Sequence, residues 1–553
     1  MRASASSEIF LGRDGLLRKY GFALCMATLA GVGGSAATVA LLALVNESLH
    51  SPGGATDAAL GFAGLALLAL AGRTLSNALT NRVGQSVIRD LRLMLARRIL
   101  AAPLDTVERY RTHRLMTVLT QDVDMVSGLC LSLPITAVAG AVVLGCVGWL
   151  VWLSWQMALL LLATMALSIA VQRVAQARAT AGFDVARTHE DALHKAWRTL
   201  GDAAKELRLS RARRWHLFDG RIARHAQAIQ QAEVRAGDAF SLAHEFGAAL
   251  YFLLIGLVFL AARWWQVPNE VLGGFVLALL YMKGSLDQVL GALPYFARAR
   301  VALDRVTALC EQFASAEGEH APTRHDAQHT PLLRDAIELR GVRYGFEAAE
   351  GATPFVLGPL DLRVARGEIL FIAGANGAGK TTLLKLLTGL YVPQQGQLLL
   401  DGMPVTDTTR DDFRQYFSPV LSDFHLFDEL PKTHADDEQR DATARAGLQR
   451  LALAHKVALQ DGVFSTTDLS TGQRKRLALL HAWAEARPVM VFDEWAADQD
   501  PAFRRQFYNE FLPELRAQGR TLVVISHDDR YFGIADRVLH MHDGGLRAAD
   551  AAG

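Results

Sequence analysis

Long apolar segments in the N-terminal part of the chain set the strongest constraint on its fold. Six of them lie at about 21–45, 57–80, 128–150, 154–174, 240–263 and 268–292. Each is close to the ~20 apolar residues that a helix needs to cross a bilayer. Backbone polar groups in hydrocarbon must bond within their own element, so these segments are predicted to be membrane-spanning helices. The first could instead be a signal peptide, but no cleavage site stands out and further spans follow.

Basic residues are placed unevenly between these segments. The connections 46–56 and 151–155 contain no Lys or Arg, whereas 82–114 and 173–235 are rich in arginine. Because basic residues remain in the cytoplasm, both termini and both long connections are predicted to be cytoplasmic. The arginines can also be explained entirely as topology signals or as a lipid-facing belt. Apolar residues near 3.6 spacing predict that the membrane helices continue into these connections as long arms.

The sixth apolar segment contains two charged residues, Lys283 and Asp287, four positions apart. Charges are costly inside a membrane. We expect the two side chains to pair on one helix face, and the alternative is that they line a polar cavity.

The overall charge argues against nucleic-acid binding. The chain carries 57 basic and 56 acidic residues, a net charge of +1, so its basic residues are matched by acids. The four cysteines show no metal-ligand or disulfide spacing and are interpreted as packing residues.

The composition changes at 314–335, where "ASAEGEHAPTRHDAQHTPLLRD" has almost no apolar periodicity. This segment is predicted to be a linker. It would join an all-α six-helix membrane domain with cytoplasmic helical extensions at 1–313 to a second domain at 336–553. Strand and helix patterns alternate in the second domain, which predicts an α/β fold.

The clearest motif of the second domain joins a strand to a helix. An apolar strand ending near Ala373 leads into "GANGAGKTT", whose residues are Gly374, Ala375, Asn376, Gly377, Ala378, Gly379, Lys380, Thr381 and Thr382. This is a complete phosphate-binding loop in the strand–loop–helix context that the motif requires. Backbone N–H groups of such a loop wrap phosphates, and the helix start adds positive potential. We expect Lys380 to reach the β and γ phosphates of ATP and Thr381 to ligate Mg²⁺.

Two further strand ends carry reactive side chains. The apolar run 489–492 ends at Asp493 and Glu494. Asp493 is placed to hold Mg²⁺ or its water, and Glu494 to orient the attacking water as general base. The alternative is an ordinary strand end with two solvated acids. The strand "TLVVISH" ends in His527, which is placed to contact the γ-phosphate.

The stretch "DLSTGQRKRLALL" at 468–480 begins like a capped helix. Ser470, Thr471, Gly472 and Gln473 suit a helix N-terminus. A helix start with glycine and free N–H groups also binds phosphate.

These motifs together resemble the ATP-binding cassette family. "LSTGQ" is similar to the family's signature sequence, with Thr471 where glycine is commoner. The resemblance spans the whole chain, as in half-transporters of the exporter type with six membrane helices and one cassette. It implies a homodimer that binds ATP and Mg²⁺ at its interface. Ser470 and the backbone around Gly472 of one subunit would then cap the γ-phosphate held by the other.

The resemblance also assigns individual positions. Asp500 matches the family's inter-subunit aspartate loop, although "AADQD" departs from the usual pattern. The adenine-stacking aromatic falls on Phe346, with Tyr344 as the alternative and core packing as the other explanation of either ring. Ser422 stands where the family has a Mg²⁺-contacting glutamine. Its shorter reach leaves open whether it couples the site to the membrane arms.

Longer strings point to one branch of the family. "SDFHLFD", "FDEWAADQDPAFRRQFY" and "ISHDDRYF" resemble cyclic-peptide and siderophore exporters of the pyoverdine and syringomycin types. This implies ATP-driven export of a nonribosomal peptide across the bacterial inner membrane. The substrate would be a siderophore, its acylated precursor or a cyclic lipopeptide. A siderophore importer or lipid flippase of the same architecture is the alternative, as is a non-transporting ATP-gated channel or membrane sensor.

Overall fold

The computed structural model describes residues 16–50, 55–110, 115–116, 118–314, 331–346, 355–430 and 437–548. The chain forms two compact units. The helical unit comprises Met1–Asp90 and Gln121–Asp304, and the α/β unit comprises Leu91–Thr120 and Arg305–Gly553.

Long helices dominate the N-terminal part of the chain. They are α1 (Leu16–His50), α2 (Ala55–Ala101), α4 (Val123–Leu153), α5 (Trp155–Asp202), α8 (Arg224–Trp264) and α9 (Asn269–Gln312). The shorter helices are α3 (Leu104–Arg109), α6 (Ala204–Leu209) and α7 (Arg211–Leu217), with π turns at Val118–Asp122 and Phe218–Ala223. The described residues contain 6 helices that are long and apolar enough to cross a membrane. The predicted six-helix architecture is confirmed.

Several helices are longer than a membrane crossing requires. α2 has 47 residues and α5 has 48, about 70 Å each at 1.5 Å per residue, against a hydrocarbon core of about 30 Å. Neither contains proline, so no residue interrupts the backbone ladder. α5 packs along α8. At Gly182 the helices approach so closely that a Cβ would lie 3.0 Å from that of Ala236.

The α/β unit contains a six-stranded sheet and a four-stranded sheet. The strands of the larger sheet are β3 (Ile369–Gly374), β6 (Phe417–Val420), β9 (Val489–Asp493), β10 (Thr521–Ile525), β11 (Arg537–His542) and β12 (Gly545–Ala548). Their order across the sheet is β12-β11-β3-β10-β9-β6, and β10 is paired in parallel with both β3 and β9. The carboxyl ends of β3, β9 and β10 therefore meet at one edge.

The remaining elements surround these strands. The smaller sheet contains β1 (Ala336–Gly345), β2 (Val356–Ala365), β4 (Gln395–Leu400) and β5 (Met403–Pro404), in the order β2-β1-β4-β5. A separate hairpin contains β7 (Leu459–Gln460) and β8 (Val463–Phe464). The helices are α10 (Lys380–Leu387), α11 (Arg410–Arg414), α12 (Asp437–Arg450), α13 (Thr471–Glu485), α14 (Pro501–Gln506) and α15 (Leu512–Ala517).

The larger sheet separates two hydrophobic cores. β3, β9 and β10 are buried along their length, except at Gly374. Alternate side chains point to opposite faces. Phe371 and Phe492 therefore pack in one cluster, while Ile372 and Val491 pack in the other. Burial on both faces fixes the strand register and, with it, the positions of the residues that follow each strand.

Candidate active site

The phosphate-binding loop leaves β3 and enters α10. Gly374 has φ 149°, and a Cβ there would lie 2.4 Å from the Met541 carbonyl oxygen, so only glycine fits. Asn376 is exposed. The Lys380 Nζ donates to the carbonyl oxygens of Gly374 at 2.8 Å and Ala375 at 3.1 Å. The loop thus holds this buried ammonium among its own carbonyl groups.

The predicted metal-binding side chains converge on one carboxylate oxygen. Asp493 Oδ2 accepts from Thr381 Oγ1 at 3.0 Å and from Ser422 Oγ at 3.0 Å. All three side chains present an oxygen atom at this point, and Asp493 is buried at the end of β9. Oxygen ligands of this kind suit Mg²⁺. The donor set fits that ion, and the Ser422 hydroxyl reaches Asp493 despite its short side chain.

The predicted hydrolytic residues form a second cluster at the same sheet edge. Glu494 Oε1 lies 3.0 Å from His527 Nε2 and 3.8 Å from Lys380 Nζ. His527 follows β10, Glu494 follows β9 and Lys380 begins α10, so the parallel sheet brings them together. The Glu494 side chain is 34% exposed. It is open to water, as a group that orients an attacking water must be.

The signature segment, residues 469–473, leads into α13. Ser470 is the N-cap, and Gln473 completes a capping box by accepting from the Ser470 backbone N–H at 3.3 Å. Ser470 and Thr471 are exposed. At Gly472 a Cβ would lie 2.9 Å from the Asp498 carbonyl oxygen. Glycine is therefore required here by packing within the chain, whatever else the segment binds.

The two candidate adenine-stacking rings differ in exposure. Tyr344 is buried and stacks on Tyr391 with centroids 4.9 Å apart. Phe346 is 38% exposed and meets the Tyr344 ring edge-on. Of the two, Phe346 presents the accessible face. Burial, followed by a hydrogen bond to Glu108, raises the pKa of Tyr391.

Asp500 caps a helix beside the signature segment. Its carboxylate accepts from the Phe503 backbone N–H at 2.9 Å and pairs with Arg476 at 2.6 Å. The backbone hydrogen bond and then the arginine lower the pKa of this carboxyl. Arg476 also lies over the Phe503 ring, 3.7 Å from its centroid.

Residues outside the sequence motifs support this site. Lys475 and Gln499 join α13 to the loop after β9, and Glu108 contacts Lys385 on α10. For Lys475 a signal was present, because a lysine lies among the buried apolar positions of α13. For Glu108 no local signal exists.

The helical unit contains an open cavity between α5, α8 and α9. Its polar lining includes Thr164, Ser168, Gln172, His244, Lys283 and Asp287. Lys283 Nζ lies 3.4 Å from Asp287 Oδ2. The expected pair is present, and its two members also line the cavity.

Comparison with known families gives two matches along the chain. The family described as "ABC transporter" matches residues 357–497, and "ABC transporter transmembrane region" matches residues 21–192. The first match contains the phosphate loop, Ser422, the signature segment, and Asp493 and Glu494 at the end of β9.

Curated relatives cover most of the chain. The "ATP-binding protein SyrD" of Pseudomonas syringae pv. syringae is 34% identical over 93% of this chain and 92% of its own length. An "ATP-dependent lipid A-core flippase" of Thiobacillus denitrificans is 26% identical over 84% of this chain and 80% of its own. Among solved structures, a bacterial Atm1-family ABC exporter with ATP bound aligns with TM-score 0.74 at 19% identity. It covers 96% of this chain and 94% of that one.

Proposed function

This chain belongs to the ABC transporters as an exporter-type half-transporter with an ATP-hydrolysing cassette, and from that membership we propose that it exports a nonribosomal peptide. It is a multi-pass membrane protein. The proposed route crosses a bacterial inner membrane, with both termini and the cassette in the cytoplasm. The substrate is a peptide siderophore, its acylated precursor or a cyclic lipopeptide.

The observation that carries the substrate assignment is the similarity to SyrD along nearly the whole chain, at 34% identity. The lipid A-core flippases match at 26% identity or less, and four of them cover 83–87% of this chain. The peptide-exporter strings noted above, such as "SDFHLFD" and "FDEWAADQD", lie in the cassette. They favour the peptide branch over the lipid branch.

The cavity of the helical unit supports a substrate with several polar groups. Hydroxyl, amide and imidazole groups line this cavity beside the Lys283–Asp287 pair, and apolar side chains that include Leu250, Leu286 and Leu290 line the rest of it. A peptide brings amide donors and acceptors that such a lining can satisfy.

In the proposed hydrolytic cycle each residue of the site has a defined role. Lys380 and the loop amides bind the ATP phosphates, and Phe346 stacks on the adenine. Thr381, Asp493 and Ser422 would hold Mg²⁺, which when bound neutralises phosphate charge. Glu494 orients the attacking water and takes its proton, and His527 holds the Glu494 carboxylate and contacts the γ-phosphate.

The proposed working unit is a homodimer with two ATP molecules at its interface. The cassette carries one phosphate loop and one signature segment, so each composite site takes one from each subunit. Cysteines introduced at Asn376 and Ser470, both exposed positions, are expected to crosslink two subunits when ATP is trapped in a Glu494→Gln background. Gel mobility measures the products.

A Cys25→Ser background removes the exposed native thiol, whereas the other three cysteines are buried. Each single-cysteine variant is the control, and neither is expected to give the ATP-dependent dimer band. Co-expression of two differently tagged chains identifies the partners in the product. Crosslinks confined to one chain would contradict the trans arrangement.

The transport proposal is tested in cells that make the peptide. Deleting the gene is expected to raise peptide inside the cell and deplete it from the medium. A peptide too large and polar to cross the bilayer unaided has no other physical route unless a second transporter exists. The wild-type gene is expected to restore secretion, and Lys380→Ala is not.

Two other results would redirect the assignment. Unchanged secretion with reduced uptake of the iron-loaded peptide would identify an importer. Unchanged peptide with lipid A accumulating in the inner leaflet would identify a flippase.

A further inference from the structure

Glu494 adopts a backbone conformation that side-chain-bearing residues rarely take. Its φ is 52° and its ψ is 34°, in the left-handed region, at the point where β9 turns into the 3-10 turn Trp495–Asp498. A non-glycine residue persists there only when its surroundings hold it. The position of the Glu494 carboxylate, which orients water in the proposed cycle, therefore depends on the contacts that other residues make with the Glu494 backbone.

Lys475 supplies such a contact from α13. Its Nζ donates to the Glu494 carbonyl oxygen at 2.8 Å and pairs with Asp498 Oδ2 at 2.7 Å. The residue is 5% exposed. A buried ammonium needs partners in fixed positions, and these two lie at the start and end of the turn that follows Glu494.

Other bonds fasten the same turn to α13. Trp495 Nε1 donates to the Lys475 carbonyl oxygen at 2.7 Å. Gln499 Nε2 donates to the Gly472 carbonyl oxygen at 3.0 Å, and its Oε1 accepts from Arg476 at 2.9 Å. The first turns of α13, which include Gly472 of the signature segment, are thus bonded to the first residue of the turn that follows Glu494 and to the residue directly after that turn.

We propose that Lys475 is a positioning residue that fixes Glu494 for hydrolysis and ties its placement to the signature segment of the same subunit. The link to the signature segment rests on the proposed function, in which Ser470 and Gly472 contact the ATP held by the partner subunit. When that site closes on ATP, the displacement of the signature segment is transmitted through Lys475 to Glu494 of the same subunit. One subunit's catalytic base is set by the nucleotide at the other site.

The test uses the purified full-length protein in lipid nanodiscs. Lys475→Met keeps the side-chain volume but removes the cation, and the half-exposed Asp498 can then be solvated. We expect kcat for ATP hydrolysis to fall about 10-fold or more, since misplacing a general base forfeits part of its 10²–10⁴-fold contribution. The Kd for a fluorescent ATP analogue should change less than about threefold, because Lys475 does not touch the phosphate loop.

Two matched variants separate positioning from folding. Asp498→Asn removes only the ionic partner at an exposed position and is expected to lower kcat by a smaller factor. Arg505→Met removes one exposed cation of the same unit and should leave kcat unchanged. A Lys475→Met protein with normal kcat would overturn the proposal. So would one whose kcat, ATP affinity and melting temperature fall together, because that pattern marks a structural role.

A double variant tests the link to the signature segment. Gly472→Ala forces a Cβ against the Asp498 carbonyl oxygen and so displaces the turn from the signature side. If Lys475 carries this effect, adding Lys475→Met should lower kcat much less than it does alone. Fully additive losses would overturn the link. None of these measurements uses the exported peptide, so failure of the export proposal would not alter them.

Discussion

Replacing Glu494 with glutamine is expected to leave a protein that binds ATP with near-normal affinity and hydrolyses it about 10²–10⁴-fold more slowly. The amide keeps the size of the carboxylate and can still accept from His527, whose Nε2 lies 3.0 Å from Glu494 Oε1. It cannot take a proton from water. Phosphate release measured on the purified protein gives kcat, and titration with a fluorescent ATP analogue gives the affinity.

Glu510→Gln is the matched control, because Glu510 is an exposed acid of the same unit away from the phosphate loop. It should hydrolyse ATP at the wild-type rate. Turnover near normal in Glu494→Gln would remove the general-base assignment and leave Asp493 to account for the chemistry.

Much of this site could be predicted from sequence because its parts are local motifs placed by one sheet. The loop from Gly374 to Thr381 carries its own backbone requirements, and Asp493 and Glu494 end an apolar run. Parallel pairing of β10 with β3 and β9 then brings the three strand ends together. Once the α/β pattern is recognised, convergence of these side chains follows from topology.

The supporting contacts could not be predicted because they join distant positions. Glu108 binds Lys385 across 277 residues of sequence. Lys475 and Glu494 are only 19 residues apart, but the contact between them depends on how α13 packs. The sequence does not show where the Lys475 ammonium lies. The cavity between α5, α8 and α9 is likewise a product of helix packing. Hydropathy predicts that helices cross a membrane, but it does not give their neighbours.

The Glu108 contact has a structural meaning of its own. Glu108 lies on α3, directly after the long helix α2, and its Oε1 accepts from Lys385 Nζ at 2.7 Å. Its Oε2 accepts from the Tyr391 hydroxyl, and Tyr391 stacks on Tyr344. Lys385 belongs to α10, the helix that begins at Lys380. A chain segment continuous with a membrane helix is therefore bonded both to the phosphate-loop helix and to the aromatic pair beside Phe346.

The position of Lys380 leads to a second large effect. The Lys380→Ala variant is expected to lose at least about 100-fold in ATP affinity, since each of its two hydrogen bonds to a charged phosphate contributes about 1.5–3 kcal/mol. The lysine should bond to both the β and γ phosphates. The variant also removes the bonds from Nζ to Gly374 and Ala375 that hold the loop in shape. Titration with a fluorescent ATP analogue measures the loss.

Competition by AMP supplies the internal control for that variant. AMP lacks the β and γ phosphates but keeps the adenine, so its weak affinity depends on the stacking ring and not on Lys380. Lys380→Ala should leave AMP competition within about twofold of the wild type, because Phe346 follows β1 of the smaller sheet whereas the phosphate loop follows β3 of the larger one. An equal loss for ATP and AMP would mean that the substitution collapses the loop as a whole. A loss of affinity for ATP but not for AMP would identify Lys380 as the group that binds the β and γ phosphates.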